Sequence, residues 1–394
     1  MYALPAGSSN ATWQFPPADK NTYPVSESAQ RALNAQIDST GLPDADKTSL
    51  KAKVGDLHVA GPSIKVLKDA ATAAVADTSA RSRLNSQVDA VTKVESNALG
   101  KIQAVYGDIG ISTDKKTAYF GTFKGFLFAI DISTGHLRWL RDEAGDGIVG
   151  GIAVDDGTLY YGTKGKHVFA LDAETGGQKW VATTKGEVWA TPVLAADSLY
   201  VTSLDGSLYA LDKSSGSQNW RFDGAGSGVA AKPLVSGDSV YVGAFDDKLY
   251  SVKVDDGSMN WSLKAGNWFW ATPVLSGGII YAASLDGKVY AVDASTGASR
   301  WDKPFDTGAA VRSTPVVAGG GLIAAARDGK VFKLDLATGK QSDASPVVIA
   351  NTKILADLTT DTAGKIVYIV PDSATLFTID AANLGPPGSV PLPQ

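Results

Sequence analysis

Eleven residues return along this chain at an interval of about forty: AIDISTGHLRW at 129–139, ALDAETGGQKW at 170–180, ALDKSSGSQNW at 210–220 and AVDASTGASRW at 291–301. The tryptophans Trp139, Trp180, Trp220, Trp261 and Trp301 step by 41, 40, 41 and 40 residues. A fixed period of that length restricts a chain to an array of equivalent supersecondary units, each burying a face against the next. One period, 190–224, reads as four apolar runs, ATPVLA, SLYVTS, SLYALD and SQNWRF, divided by the turn signals AAD, LDG and KSSG. Alternating runs joined by short turns predict a four-stranded antiparallel meander. Such a sheet cannot bury both faces alone. Radial stacking about an axis is the favoured solution at this period, so each unit reads as a β-propeller blade.

First strands begin near 108 (DIGIS), 150 (GGIAV), 190 (ATPVL), 231 (AKPLV), 271 (ATPVL), 313 (STPVV) and 353 (KILAD). The predicted fold is therefore all-β, a propeller over 105–385 with seven blades, eight being the alternative count. Blade four carries Lys253 where others have Asp, and blade six, KLDLATGKQSD, lacks the Trp. The seventh keeps Asp380, but no Trp follows before a Pro-rich tail at 386–394. TWQF at 12–15 reads as a fourth strand without its other three, so segment 1–17 is expected to supply the outer strand of blade seven and close the ring. Between them, 18–104 is rich in Ala, Ser, Lys and Asp and reads as an α-helical insertion. Ser26 with a following Glu, Pro62 at a first turn, and Leu84, Val88, Val91, Ala98 and Ile102 at three-to-four spacing predict three or four amphipathic helices.

Composition removes several function classes. Zero cysteines exclude disulfides, thiol nucleophiles and cysteine metal sites, and the three histidines, His58, His136 and His167, lie far apart. No metal site or cofactor is predicted. A net charge of −5 gives no reason to expect nucleic acid. No segment approaches the run of about 20 apolar residues of a membrane span. MYALPAGSSNATW lacks a basic start and a long apolar run, so the expectation is either a cytosolic protein or one whose export signal, absent from the chain as given, has been removed.

The repeated signature has a structural reading. Its Asp and Thr or Ser flank the turn between the third and fourth strands, where short side chains bond nearby backbone N–H groups. Gly takes the positive-φ position and Trp fills the wedge between blades. This assigns Asp131, Gly135 and Trp139, Asp172, Gly176 and Trp180, Asp212, Gly216 and Trp220, and Asp293, Gly297 and Trp301 to the scaffold.

A candidate site lies elsewhere. Strand order brings the loops from each fourth strand to the next blade onto one face with the loops joining strands two and three, and the helical insertion is expected to emerge there. Trp189, Ala230, Trp270 and Arg312 are equivalent positions three residues before Pro192, Pro233, Pro273 and Pro315, and should ring the mouth. Trp268, Phe269, Phe245 and Arg327 add to the rim, and Glu187 with Arg312 is a candidate ion pair. Aromatic and arginine residues together are what recognition surfaces use, so these residues are the partner-binding candidates. Packing under the helical insertion is the alternative role for the aromatics.

The pattern A-x-D-x-x-T-G-x-x-x-W resembles the repeat of the pyrroloquinoline quinone (PQQ) dehydrogenases and their noncatalytic relatives, the PQQ-like propellers. Ala129, Asp131, Thr134, Gly135 and Trp139 match it, as do Ala170, Asp172, Thr175, Gly176 and Trp180, and Ala291, Asp293, Thr296, Gly297 and Trp301. In the dehydrogenases the resemblance implies a calcium held by Glu, Asn and Asp, a catalytic Asp and adjacent cysteines, none of which can be placed on this chain. It is more similar to the noncatalytic branch, which includes the propeller lipoprotein of the outer-membrane β-barrel assembly machinery. That resemblance implies a nonenzymatic, extracytoplasmic scaffold binding protein partners in an envelope or surface complex. The alternatives are a quinoprotein-type dehydrogenase, with Trp268 or Trp270 on the quinone and Arg312 or Arg327 on its carboxylates, and a carbohydrate-binding propeller using Trp189 and Trp270.

Overall fold

The computed structural model describes residues 2–3, 13–15, 17, 19–100, 104–143, 146–343, 346–349, 352–373 and 375–391. Four helices precede seven four-stranded antiparallel sheets, the strand complement of a seven-bladed β-propeller. In every sheet the strands pair in chain order, as a meander whose turns are too short for any other neighbour. The chain divides into two compact units, Met1–Thr163 with Phe169–Trp180, and Lys164–Val168 with Val181–Gln394.

In the first unit the helices are α1 (Glu27–Asp38), α2 (Asp44–Gly55), α3 (Pro62–Ala74) and α4 (Thr78–Gly100). Ser26 caps α1, its Oγ accepting from the Ala29 amide at 3.1 Å, and Pro62 opens α3, where its missing N–H costs nothing. Leu33, Ile37, Leu50, Val54, Leu67, Leu84 and Val88 form a helical core without solvent exposure beyond 1%. It continues onto sheet one (Gly110–Ile111, Thr117–Gly121, Phe126–Asp131, Leu137–Asp142), where Phe120, Phe128 and Ile130 belong to the same cluster. The other face of those strands carries Tyr119, Leu127, Ala129 and Trp139, packed with Leu159, Tyr161 and Leu171 of sheet two. Side chains alternate between faces in a strand, so the run FLFAI at 126–130 is apolar throughout because both faces are covered.

TWQF does not complete a seventh blade. Trp13–Gln14 pairs with Tyr2–Ala3, while Phe15 is buried edge-on against Tyr23, Phe120 and Phe128. The fourth strand of sheet seven is Gly388–Pro391, drawn from the Pro-rich tail and paired with Thr375–Asp380. A proline costs an outermost strand little, because its missing N–H faces away from the ladder.

In the second unit, sheets three to seven follow one pattern, exemplified by sheet four: Leu234–Ser236, Ser239–Gly243, Lys248–Lys253 and Met259–Lys264. Sheet five departs from it. Pro304 interrupts the fourth strand, leaving Phe305–Asp306, and Trp301 lies in the bend before it.

Within each unit, the recurring tryptophans tie a sheet to its successor. The indole N–H of Trp139 donates to the Ala173 carbonyl at 3.0 Å, that of Trp261 to Ala294 at 3.0 Å and that of Trp301 to Leu336 at 3.0 Å. Tyr119, Tyr241 and Tyr281 donate their hydroxyls to the same three carbonyls. The turn glycine of the succeeding sheet lies flat under the indole: a Cβ on Gly297 would come within 2.7 Å of Trp261, and one on Gly339 within 2.5 Å of Trp301. Glycine is required there twice, for its positive φ and for the approach of the ring. The turn aspartates orient the same loop. Asp293 Oδ1 accepts from the Ser295 and Thr296 amides at 3.0 and 2.9 Å, and Asp131 Oδ1 from Ser133 and Thr134 at 2.9 and 3.0 Å. Hydroxyls from Ser214 and Ser215 hold the Asp212 carboxyl at a pKa of about 2.

Candidate functional site

Three hairpins in the second unit repeat an Asp followed four residues later by a Tyr: Asp205 and Tyr209, Asp246 and Tyr250, Asp286 and Tyr290. In each, the tyrosine hydroxyl donates to the aspartate, at 2.6 Å for both Tyr209 and Tyr290. The same carboxylate accepts a backbone N–H from the loop leading into the hairpin's own sheet: Lys185 at 3.0 Å, Gly226 at 2.9 Å and Gly266 at 2.9 Å. Burial raises the pKa of all three tyrosines, and the adjacent carboxylate raises it further, so they remain neutral donors. Asp205 is pulled the other way: burial opposes ionisation, but the Tyr209 and Ser207 donors outweigh it.

A second set of bonds zips each hairpin to the same loop. The amides of Leu204, Phe245, Leu285 and Arg327 donate to the carbonyls of Glu187, Gly228, Trp268 and Ala310 at 2.8–2.9 Å. The loop 265–271 is fixed further by Ser284 Oγ donating to the Asn267 carbonyl at 2.9 Å and by the Trp268 amide donating to Asn267 Oδ1 at 2.8 Å. Side chains at the loop tips are therefore presented from pinned backbone.

Those tips bring most of the candidate residues together. Phe245 stacks on Trp268, with ring centroids 4.5 Å apart and planes 24° from parallel, and on Trp270 at 5.2 Å and 17°. Arg312 lies over the Trp270 ring, its guanidinium carbon 4.4 Å from the centroid, a cation–π geometry. Trp189 meets Trp270 at 6.5 Å and 59°. Trp268 is 42% exposed and Trp270, Trp189 and Phe245 are half-buried, so the rings form a partly open ladder. Burial, followed by the charge of Arg327, lowers the pKa of Arg312, while Asp357 opposes the shift. Arg327 itself is exposed.

Two expectations change. Phe269 is fully buried, edge-on to Tyr290 and packed against Gly243, so it anchors the loop and offers nothing to a partner. The alternating backbone of the loop sends Trp268 and Trp270 outward and the residue between them into the core. Glu187 accepts from the Trp189 indole N–H at 2.7 Å, which orients the ring, in place of the expected pairing with Arg312. The positioning aspartates went unread in the sequence, although the D-x-x-x-Y spacing at the blade period was the signal.

Among the described residues, no three His, Cys, Asp or Glu side chains converge to hold a metal ion, and no helix is long and apolar enough to cross a membrane. No curated protein matches the sequence. Among solved structures, the chain is similar to BamB from Moraxella catarrhalis, with 20% identity and a TM-score of 0.59, over 70% of this chain and 83% of that one. At that identity the likeness speaks for the fold. The family model described as "Outer membrane protein assembly factor BamB" matches residues 124–267 and 265–383, and the chain belongs to that family of PQQ-like repeat propellers.

Proposed function

We propose that this chain is a nonenzymatic propeller scaffold that binds a protein partner in an extracytoplasmic envelope or surface assembly. The observation that carries the reading is the ladder of Trp268, Phe245 and Trp270 with Arg312 beside it. Rigid aromatic rings and an arginine, held on pinned loops and left partly open, provide large contact area with little side-chain entropy to lose. Family membership supports the scaffold role and an envelope setting.

The test is residue-specific photocrosslinking in the producing cell. With Trp268 replaced by p-benzoylphenylalanine, the expected outcome is a light-dependent adduct with one protein, absent when the photoreactive residue replaces Lys65 on α3. Equal labelling at the two positions would remove the ladder from consideration as a docking surface. Trp268→Ala should leave Tm nearly unchanged, whereas Phe269→Ala should cost about 3–5 kcal/mol through the cavity it opens.

A further inference from the structure

Resting on the docking reading, we propose that the partner is recognised through a carboxylate-bearing apolar segment. Its carboxylate lies on the guanidinium groups of Arg312 and Arg327, and its neighbouring apolar side chain covers Trp268 and Phe245. The first support is an incomplete hydrogen-bond inventory. Arg312 Nε is buried and donates to no described protein acceptor. That nitrogen is enclosed beside the Trp270 ring, so an incoming carboxylate meets the terminal nitrogens of the guanidinium, which pair with no carboxylate among the described residues.

The second support is charge. The Arg327 amide donates to the carbonyl of Ala310, two residues before Arg312, at 2.8 Å, and the charge of Arg327 adds to burial in lowering the basicity of Arg312 while Asp357 opposes it. That aspartate also accepts the Thr314 amide at 2.7 Å. These two neighbouring guanidinium groups stand on a chain of net charge −5, so composition does not explain them. The same overall charge disfavours an extended polyanion such as nucleic acid or an anionic membrane, whose field acts on the whole molecule. A single carboxylate beside an apolar group matches both halves of the patch, because a guanidinium accepts a carboxylate in a two-bond fork while the exposed rings gain from contact with an apolar side chain.

The experiment pans a phage-displayed random peptide library on the full chain and on two variants, Arg312→Gln/Arg327→Gln and Phe245→Ala/Trp268→Ala, each first checked for native Tm. Enriched peptides should carry Asp or Glu next to Phe, Leu or Trp. Replacing that acid by its amide, or the two arginines by Gln, should weaken binding at least about tenfold in fluorescence anisotropy, as loss of a charge-assisted contact does. Enrichment of neutral or basic peptides, or equal binding to the arginine variant, would overturn the carboxylate assignment and leave the docking reading standing. Equal enrichment on the aromatic variant would overturn both. Should free pyrroloquinoline quinone bind in an arginine-dependent manner while no peptide enriches, the site would take a small carboxylated ligand and the proposal would fail.

Discussion

At the scale of single residues, the repeated glycine and tryptophan are one device divided between neighbouring sheets. Gly297 and Gly277 both hold positive φ, but only Gly297 has a ring above it, while a Cβ on Gly277 meets nothing within 4 Å. Gly277→Ala should therefore cost about 1 kcal/mol of backbone strain, and Gly297→Ala at least about 2 kcal/mol more as Trp261 is displaced. Urea denaturation of the two variants measures the difference. Glu95 provides a second residue-scale test. It is 4% exposed, its two oxygens accepting from the amide and hydroxyl of Ser26 at 3.0 and 2.5 Å. Burial outweighs those bonds and raises its pKa from 4.5 to about 6. The native state thus holds this proton more tightly than the unfolded chain. The associated stability is fully present below pH 4.5 and is lost as pH rises through 6, a change of about 2 kcal/mol. Glu95→Gln should flatten the stability profile across that window, and an unchanged slope would assign it to other groups.

At the scale of elements, the unexpected pairings concern chain ends. The seventh sheet takes its outer strand from Gly388–Pro391, and Phe15 sits in the core shared by the helices and sheet one. Ending the chain at 385 should accelerate amide exchange across Thr375–Asp380, which loses its ladder partner. Removing residues 1–14 should leave those amides protected. Mass-spectrometric hydrogen exchange separates the two. The helices were legible from caps and periodicity, because Ser26, Pro62 and the Leu84–Val88 stripe act within a few residues of chain. Their partner was not legible, since an apolar stripe states that a face is buried and says nothing about what buries it.

For the whole molecule, seven sheets of one pattern do not imply seven of one stability. Sheets five and six have fourth strands of only two residues, Phe305–Asp306 and Val347–Val348, whereas the fourth strand of sheet four has six. Native-state exchange should be fastest in those short outer strands and slowest in the second and third strands of every sheet, where Ile280, Leu322 and Ala324 are fully buried. Uniform protection across the outer strands would contradict this ranking.

The sequence by itself determined the repeat length, the four-strand pattern and the existence of the helices, and favoured seven sheets over eight, because periodicity, turn residues and caps are local and act without knowledge of distant chain. It also identified Trp189, Trp270 and Arg312 as equivalent loop positions. Only the tertiary structure decided that Trp270 lies against Phe245 and under Arg312, that Phe269 points inward between an exposed and a half-buried tryptophan, and that Asp246 and Asp286 hold the loops presenting them. Ring stacking, burial and charge proximity depend on distances between segments tens of residues apart. Those distances are set by how sheets pack, and a one-dimensional pattern does not contain them.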